Sequence, residues 1–507
     1  MQRFLETCAE FVLRKYGDDL KETVIVVPNR RSGLFFTAYL RERLPHAVIG
    51  PQVIPVNEWI CAMSELHAAD PLRLIATLYE VYVKETGTKE SFDDFYFWGE
   101  VLLSDFDDID KYLVPAEDLF RNLLSLKEME LHFDYLTEEQ KKTIVRFWGS
   151  LKSWEQFEHE KDFLFIWEKL GSIYSGFREK LHSTGEGYAG MIMRDGLSKL
   201  QSGKYQLPRK NQVIIGMNAL NKCEKQVFSH LRNEGKAVFL WDYDDYYLNN
   251  PVNTAGKFIR ENLELFPPPP DFLLQTDHFS RKKKIELVAF PSLTGQSQII
   301  PEILKTTGED TSTRFDHTAV VLADESLLFH TLGAIPADAP PVNVTMGYPV
   351  KNSPVVSLLN LITTLLRRTA PGKEKDGFYF KPVLDLLSHQ LLRDLETDKV
   401  NAATKEWKEQ NLIYIPPEKL FFSGLHQCIF TLPQSVAAYP GYFLNLLRQL
   451  YTQVTRQPEN TTLKETIYAT YLALEKLEAV MERHLRNGVF DISPAIFFRL
   501  MMQYLNK

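Results

Sequence analysis

Apolar positions change their spacing several times along this chain, and each change predicts a change of architecture. Phe4, Leu5, Cys8, Phe11, Val12 and Tyr16 recur at helical spacing and lie on one face, with Gly17 as a stop. Residues 23–27 then form a short apolar run closed by Pro28, the signature of a buried parallel-type strand. A helix is predicted from about Ser32, carrying Leu34, Phe35, Tyr39 and Leu40. The strand–turn–helix unit recurs at 48–56, with Asn57 as the expected helix cap before Trp59, Ile60 and Cys61. This alternation is α/β grammar.

From about residue 70 to 185 the pattern becomes long, periodic and aromatic, and no strand is predicted there. Strands return at 212–216 and 237–241, with a helix between them. Phe266 and four consecutive prolines, 267–270, can join neither a helix nor a central strand and so predict a linker. Further strands are expected at 285–290, 319–322 and 342–345, with helices at 296–304 and 326–332. Leu358, Leu359, Ile362, Leu365 and Leu366 make a closing helix. Beyond Pro371 the chain turns helical. Leu463, Ile467, Tyr471, Leu474, Met481 and Leu485 form one stripe ending at Gly488, and Ser493-Pro494 start a last helix through Tyr504.

The expected division follows. Residues 1–69 and 190–265 form one α/β domain, and 70–189 a helical insertion within it. Residues 266–280 are a linker, 281–370 a second, incomplete α/β domain, and 371–507 a second helical insertion. A length of 507 residues suits several domains at about 150 residues each. With 44% hydrophobic and 24% charged residues the chain has enough apolar side chain to fold. No apolar run approaches the roughly 18 residues that would cross a bilayer, the N-terminus lacks a signal-peptide core, and Cys8, Cys61, Cys223 and Cys428 are scattered. A cytoplasmic protein, away from membranes, is the expectation.

A net charge of −8 does not advertise nucleic-acid binding, but local patches decide that question. The basic candidates are Asn29-Arg30-Arg31, 208–210, 281–284 and Arg367-Arg368. Gly-Lys occurs at 203, 235, 256 and 372 and is never followed by Ser or Thr, so the phosphate-cradling Walker A loop is missing. The aspartate-rich stretch 105–110 fits either a metal site by composition or a polar helix face. Residues 241–245 (WDYDD) follow a strand, where α/β proteins place functional loops. There is no G-x-S-x-G elbow and no HExxH among the twelve histidines. Glu286 sits in IELVAF, but Val288 stands where a nuclease strand would carry lysine. No catalytic constellation is found.

Several ordered blocks carry a family likeness: VIVVPNRRSGLFFTAYLRERL (24–44), FWGEVLLSDFDDIDKYL (97–113), VIIGMNALNKCEKQVFSHL (213–231), FLWDYDDYYL (239–248), TAVVLADESLL (318–328) and VNVTMGYPVKNSPVVSLLNLI (342–362). Together they resemble the helicase-like half of AddB-type subunits, in a Bacteroidetes branch of PD-(D/E)XK nuclease family proteins. The resemblance runs through essentially the whole chain. It implies an α/β fold of two RecA-like parallel-sheet domains, each with a helical insertion, in a superfamily I helicase layout with a degenerate ATP site. Against that layout the first strand matches motif Ia. Gly216-Met217-Asn218 replaces the Walker B acids. Asp242 matches the aspartate of the G-D-x-x-Q block, where Trp241 replaces glycine and Asp245 the glutamine. Asp324 stands where an arginine would serve ATP. ATP hydrolysis is therefore not expected, and no cofactor is expected in this chain.

Family members of this branch are nearly twice as long and carry a C-terminal nuclease domain. The resemblance thus implies either a shortened product or a nuclease in a separate chain. It further implies a non-catalytic scaffold in double-strand-break repair and recombination, binding single-stranded DNA beside an AddA-like helicase–nuclease subunit. Asn29, Arg30 and Arg31 would contact the sugar–phosphate backbone. Trp241 and Tyr243, flanking Asp242, would either stack bases or pack beneath a loop. Met346-Gly347-Tyr348 is a further candidate contact, with glycine permitting close approach. A protein-interaction module without DNA affinity, docking a helicase or nuclease partner, is the alternative, and the negative charge and 12% aromatic content favour it.

Overall fold

The computed structural model describes residues 3–120, 160–250, 252–306, 318–336, 339, 342–345, 350–369, 377–455, 461–486 and 492–505. Its architecture is mixed α/β, with small parallel sheets flanked by many helices. The chain divides into two compact units. The first comprises Met1–Arg281 with Pro433–Gly441 and Glu475–Leu500, and the second the remainder.

The first unit is organised by a four-stranded sheet. Helix α1 (Phe4–Tyr16) leads into β1 (Thr23–Val27), α2 (Arg30–Arg43), β2 (Gln52–Pro55) and α3 (Val56–Cys61). After the helical insertion come α7 (Ala189–Gln201), β5 (Asn211–Ile215), α8 (Lys222–Asn233) and β6 (Ala237–Leu240). The strands are all parallel in the order β2-β1-β5-β6, with Val24 opposite both Gln52 and Gln212. All five residues of β1 are buried, as a central strand covered on both faces requires. Val24 and Val26 pack with Trp59, Phe228 and Trp241, while Ile25 and Val27 pack with Phe11, Phe36 and Leu40. Each such side chain contributes about 1.5–3 kcal/mol relative to exposure. Gly33 lets α2 lie against the sheet, since a side chain there would press on Val53 and Val27.

The insertion leaves and rejoins the sheet domain through a two-residue parallel pairing, β3 (His67–Ala68) with β4 (Glu186–Gly187). Its long helices are α4 (Pro71–Thr86), α5 (Phe92–Lys111) and α6 (Glu160–Ser183). Asp70 caps α4 by accepting from Leu72 N, with Pro71 in the first turn, and Gly87 ends it at φ 65°. Tyr79, Tyr82, Phe92 and Phe95 interlock between α4 and α5 at centroid separations of 4.7–5.3 Å. Of the aromatic run read from the sequence, Phe92, Phe95, Phe106, Trp167, Tyr174 and Phe177 are buried in the insertion, Phe97 is exposed, and Phe147, Trp148 and Trp154 lie outside the described residues.

Several boundaries differ from expectation. The second strand begins only at Gln52, and α3 starts at Val56 after Pro55, so Asn57 lies inside the helix rather than capping it. Helix α2 starts at Arg30, two residues early, because Asn29 Oδ1 accepts from Ser32 N and acts as its cap. Residues 266–280 form no helix or strand, yet they are not a free tether. Phe272 packs edge-on against Phe11 at 5.5 Å, and Trp241 Nε1 donates to Phe266 O at 2.7 Å.

The expected second sheet is corrected. Segments 285–290, 319–322 and 342–345 form no strands, and no sheet joins them among the described residues. Ile285, Leu287 and Val321 are 75%, 95% and 87% exposed. Without a neighbour to complete the ladder, an apolar run with strand composition has neither hydrogen bonds nor a buried face. The helix Pro354–Arg368 does form, capped by Ser353 and burying Leu358, Leu359, Ile362, Leu365 and Leu366. Farther on, a two-residue antiparallel pairing joins β7 (Phe378–Tyr379) to β8 (Tyr414–Ile415). The stripe at Ile467, Leu474 and Met481 is buried within the helix Thr461–Arg486, and Pro494–Leu505 forms the last helix. Among the described residues no helix is long and apolar enough to cross a membrane.

Candidate functional site

Strand order 2-1-5-6 reverses direction between β1 and β5. The chains leaving the carboxyl ends of these two strands turn to opposite sides there, which opens the crevice where α/β sheets bind ligands. Asn29-Arg30-Arg31 flanks one side of it and Gly216-Met217-Asn218 the other. Gly216 adopts φ 67°, and the ring edge of Phe4 lies where a side chain at Gly216 would project. An aromatic ring from α1 thus lines this switch point.

The three residues after β1 have distinct states. Asn29 spends its side-chain oxygen Oδ1 on Ser32, accepting from N at 2.9 Å and from Oγ at 3.1 Å. Arg30 Nε donates to Glu58 Oε1 at 2.9 Å, with both side chains open to solvent. That pairing raises the Arg30 pKa further, and as an exposed, solvent-screened pair it adds little to stability. Arg31 is exposed and makes no ion pair or hydrogen bond among the described residues. Leu34 and Phe35, one turn on, are 74% and 49% exposed.

Across the sheet, the residues after β6 separate. Trp241 is wholly buried, stacked on Phe239 at 6.2 Å with its N–H on Phe266 O, so it offers no face to a base; of the two expectations, packing is the one observed. Tyr243 is half-buried against the same core, and burial raises its hydroxyl pKa, with Asp245 adding to it. Asp242 reaches solvent. Desolvation by neighbouring protein raises its carboxyl pKa, and His278 opposes the rise. Asp242 in turn adds to the burial that holds the Cys8 thiol well above its ordinary range. Asp244 caps a short helix, Asp245–Leu248, and accepts from Phe279 N at 2.8 Å, while Asp245 accepts from Thr276 Oγ1 at 2.7 Å. These two carboxylates are turn builders. Met346-Gly347-Tyr348 lies outside the described residues.

One feature of this edge escaped the sequence reading. The Asp244–Phe279 bond draws Phe279 against Tyr246 (4.5 Å) and Tyr247 (5.1 Å), and Tyr246 and Phe279 are each 45% exposed. The Tyr-Tyr pair beside the acidic run was visible, but no periodicity links 246 to 279.

The other acidic stretch, 105–110, has been absorbed into structure. Asp110 is wholly buried and accepts from Tyr174 OH (2.7 Å), Tyr188 OH (2.5 Å), Arg178 Nη1 (2.9 Å) and Arg194 Nη1 (2.9 Å). Burial, then Asp110, pushes the Tyr174 hydroxyl up to about 12. Asp107 pairs with Lys111 and accepts from Gly190 N at 2.6 Å. Gly190 is required there because a methyl group would collide with the Asp107 carbonyl. Among the described residues no three His, Cys, Asp or Glu side chains gather as a metal-holding group. No family model and no curated protein matches the chain.

Proposed function

We propose that this chain is a non-catalytic scaffold that holds single-stranded DNA at the carboxyl edge of its four-stranded sheet. In this reading it is the inactivated helicase part of an AddAB-type helicase–nuclease in double-strand-break processing, and an AddA-like partner supplies ATP-driven movement. The RecA-like identity of the sheet belongs to the same reading, and the strand order with its switch point supports it. The observation that carries the proposal is Arg31. It is an exposed guanidinium with no counter-ion among the described residues, at the sheet's switch point, beside an Arg30 held only by an exposed glutamate. Both can fork onto phosphate oxygens. The partly exposed rings of Tyr246 and Phe279 offer stacking surfaces beyond β6, two strands from β1.

Fluorescence anisotropy of a labelled oligothymidylate, titrated at several salt concentrations, tests this. Each neutralised phosphate contributes about 0.7 to the log–log salt slope on single strands, so changing both Arg30 and Arg31 to Ala should flatten the slope by up to about 1.4. The exposed Leu34 and Phe35 beside these arginines favour one second reading, a partner-docking surface. On that reading the wild-type chain shows no salt-dependent DNA binding at all.

A further inference from the structure

We infer that a cavity in the second unit is a binding site for a small ligand with an apolar, aromatic-sized body and an anionic head group. It lies between the helix Phe380–Leu387, the C-terminal turn of the helix Thr397–Glu409 and strand β8. Its volume is about 340 Å³, at the lower end of the range for small-molecule sites.

Phe380, Leu384, Ile413 and Ile415 give it apolar walls, and the 4%-exposed Trp407 closes one side. Of the polar residues around it Lys408 carries the one positive charge, beside the uncharged Thr404, Trp407 and Asn411. The Trp407 indole N–H is buried and has no hydrogen-bond partner among the described residues, so its resonance reports on the wall that the ring forms. Lys408 stands exposed at the lip and pairs with no carboxylate among the described residues.

A helix C-terminus ordinarily repels anions. Here its carbonyls are already engaged: Trp407 O accepts from Leu412 N at 2.9 Å, and Lys408 O from Asn411 N at 3.3 Å. Asn411 adopts φ 49° to make that turn, a conformation asparagine tolerates better than most residues. What remains is an apolar pocket with an ammonium at its rim, which selects a partner with an apolar body and a negative charge. The site is independent of the sheet edge and of the DNA-binding reading.

The test compares 4-phenylbutyrate with its neutral counterpart 4-phenylbutan-1-ol on the full chain, followed through the tryptophan indole ¹H–¹⁵N resonances. The Trp407 signal is identified by its loss in Trp407→Phe. The expected result is a saturable shift of that signal, with the acid binding at least fivefold more tightly than the alcohol. Lys408→Gln, at an exposed position, should erase the acid's advantage. Thr404→Phe, which places a ring in the cavity, should abolish binding of both. Absence of a saturable Trp407 shift would overturn the assignment. So would equal binding of acid and alcohol, or an acid affinity unchanged by either variant in a protein with wild-type circular dichroism.

Discussion

Residues 105–110 and 242–245 look alike in sequence, each a group of aspartates set among aromatic side chains, yet they have opposite fates. Asp110 points between packed helices and is saturated by two tyrosines and two arginines from α6 and α7 and the turn before α7. Asp242 leaves a strand at the sheet's carboxyl edge and reaches solvent, while Asp244 and Asp245 hold turns. Acid-rich composition therefore says little by itself. The element that carries it decides whether the charge becomes scaffold or surface, and the same rule separates the half-buried arginine partners of Asp110 from the open Arg31.

The sharpest way to break this comparison is to remove the hub. Asp110→Ala leaves Arg178 and Arg194 without their shared carboxylate, and loss of about 3–5 kcal/mol in urea unfolding is expected. A loss under 1 kcal/mol would mean the network is ornamental. Gly190→Ala probes the same junction sterically. Its methyl group meets the Asp107 carbonyl, and about 1–3 kcal/mol should be lost by the same assay.

At the edge the expected effects move from stability to binding. Arg30→Ala with Arg31→Ala should leave the urea unfolding midpoint unchanged, since both side chains are exposed. It should weaken single-strand binding about tenfold near 0.1 M salt, or ~1.4 kcal/mol. The smallest effect belongs to Asp242. Its carboxyl pKa is raised in the folded state, so folding favours the protonated form. That penalty is absent below the ordinary carboxylate range and appears as pH rises through the raised folded value. Asp242→Asn should therefore raise the thermal midpoint slightly at pH 7 and leave it unchanged at pH 3. Melting curves at the two pH values check the sign.

Legibility in the sequence followed the strength of local signals. The run 23–27, the stripe of α1 and the aromatic helices of the insertion were readable because one period dominated each. The second sheet was not. IELVAF and AVVLA have strand composition, but pairing is non-local, and composition cannot supply the neighbouring strand. At the candidate site, Arg30 and Arg31 were readable as a basic pair following a strand, whereas the Glu58 partner of Arg30 lies 28 residues away. Trp241 shows the limit most clearly. Its position after a strand left base stacking and packing beneath a loop both open, and the carbonyl of Phe266, 25 residues on, takes its N–H into the core.

The separation of scaffold from surface is tested most directly by the salt dependence of oligothymidylate binding in three proteins: wild type, the Arg30→Ala/Arg31→Ala double variant, and Asp107→Asn as a junction control, each with its fold checked by circular dichroism. The expected result is a steep slope in wild type and in Asp107→Asn, flattened by up to about 1.4 in the double variant alone. Identical slopes in wild type and the double variant, with both proteins folded, would contradict the assignment of the sheet edge as the DNA-binding surface.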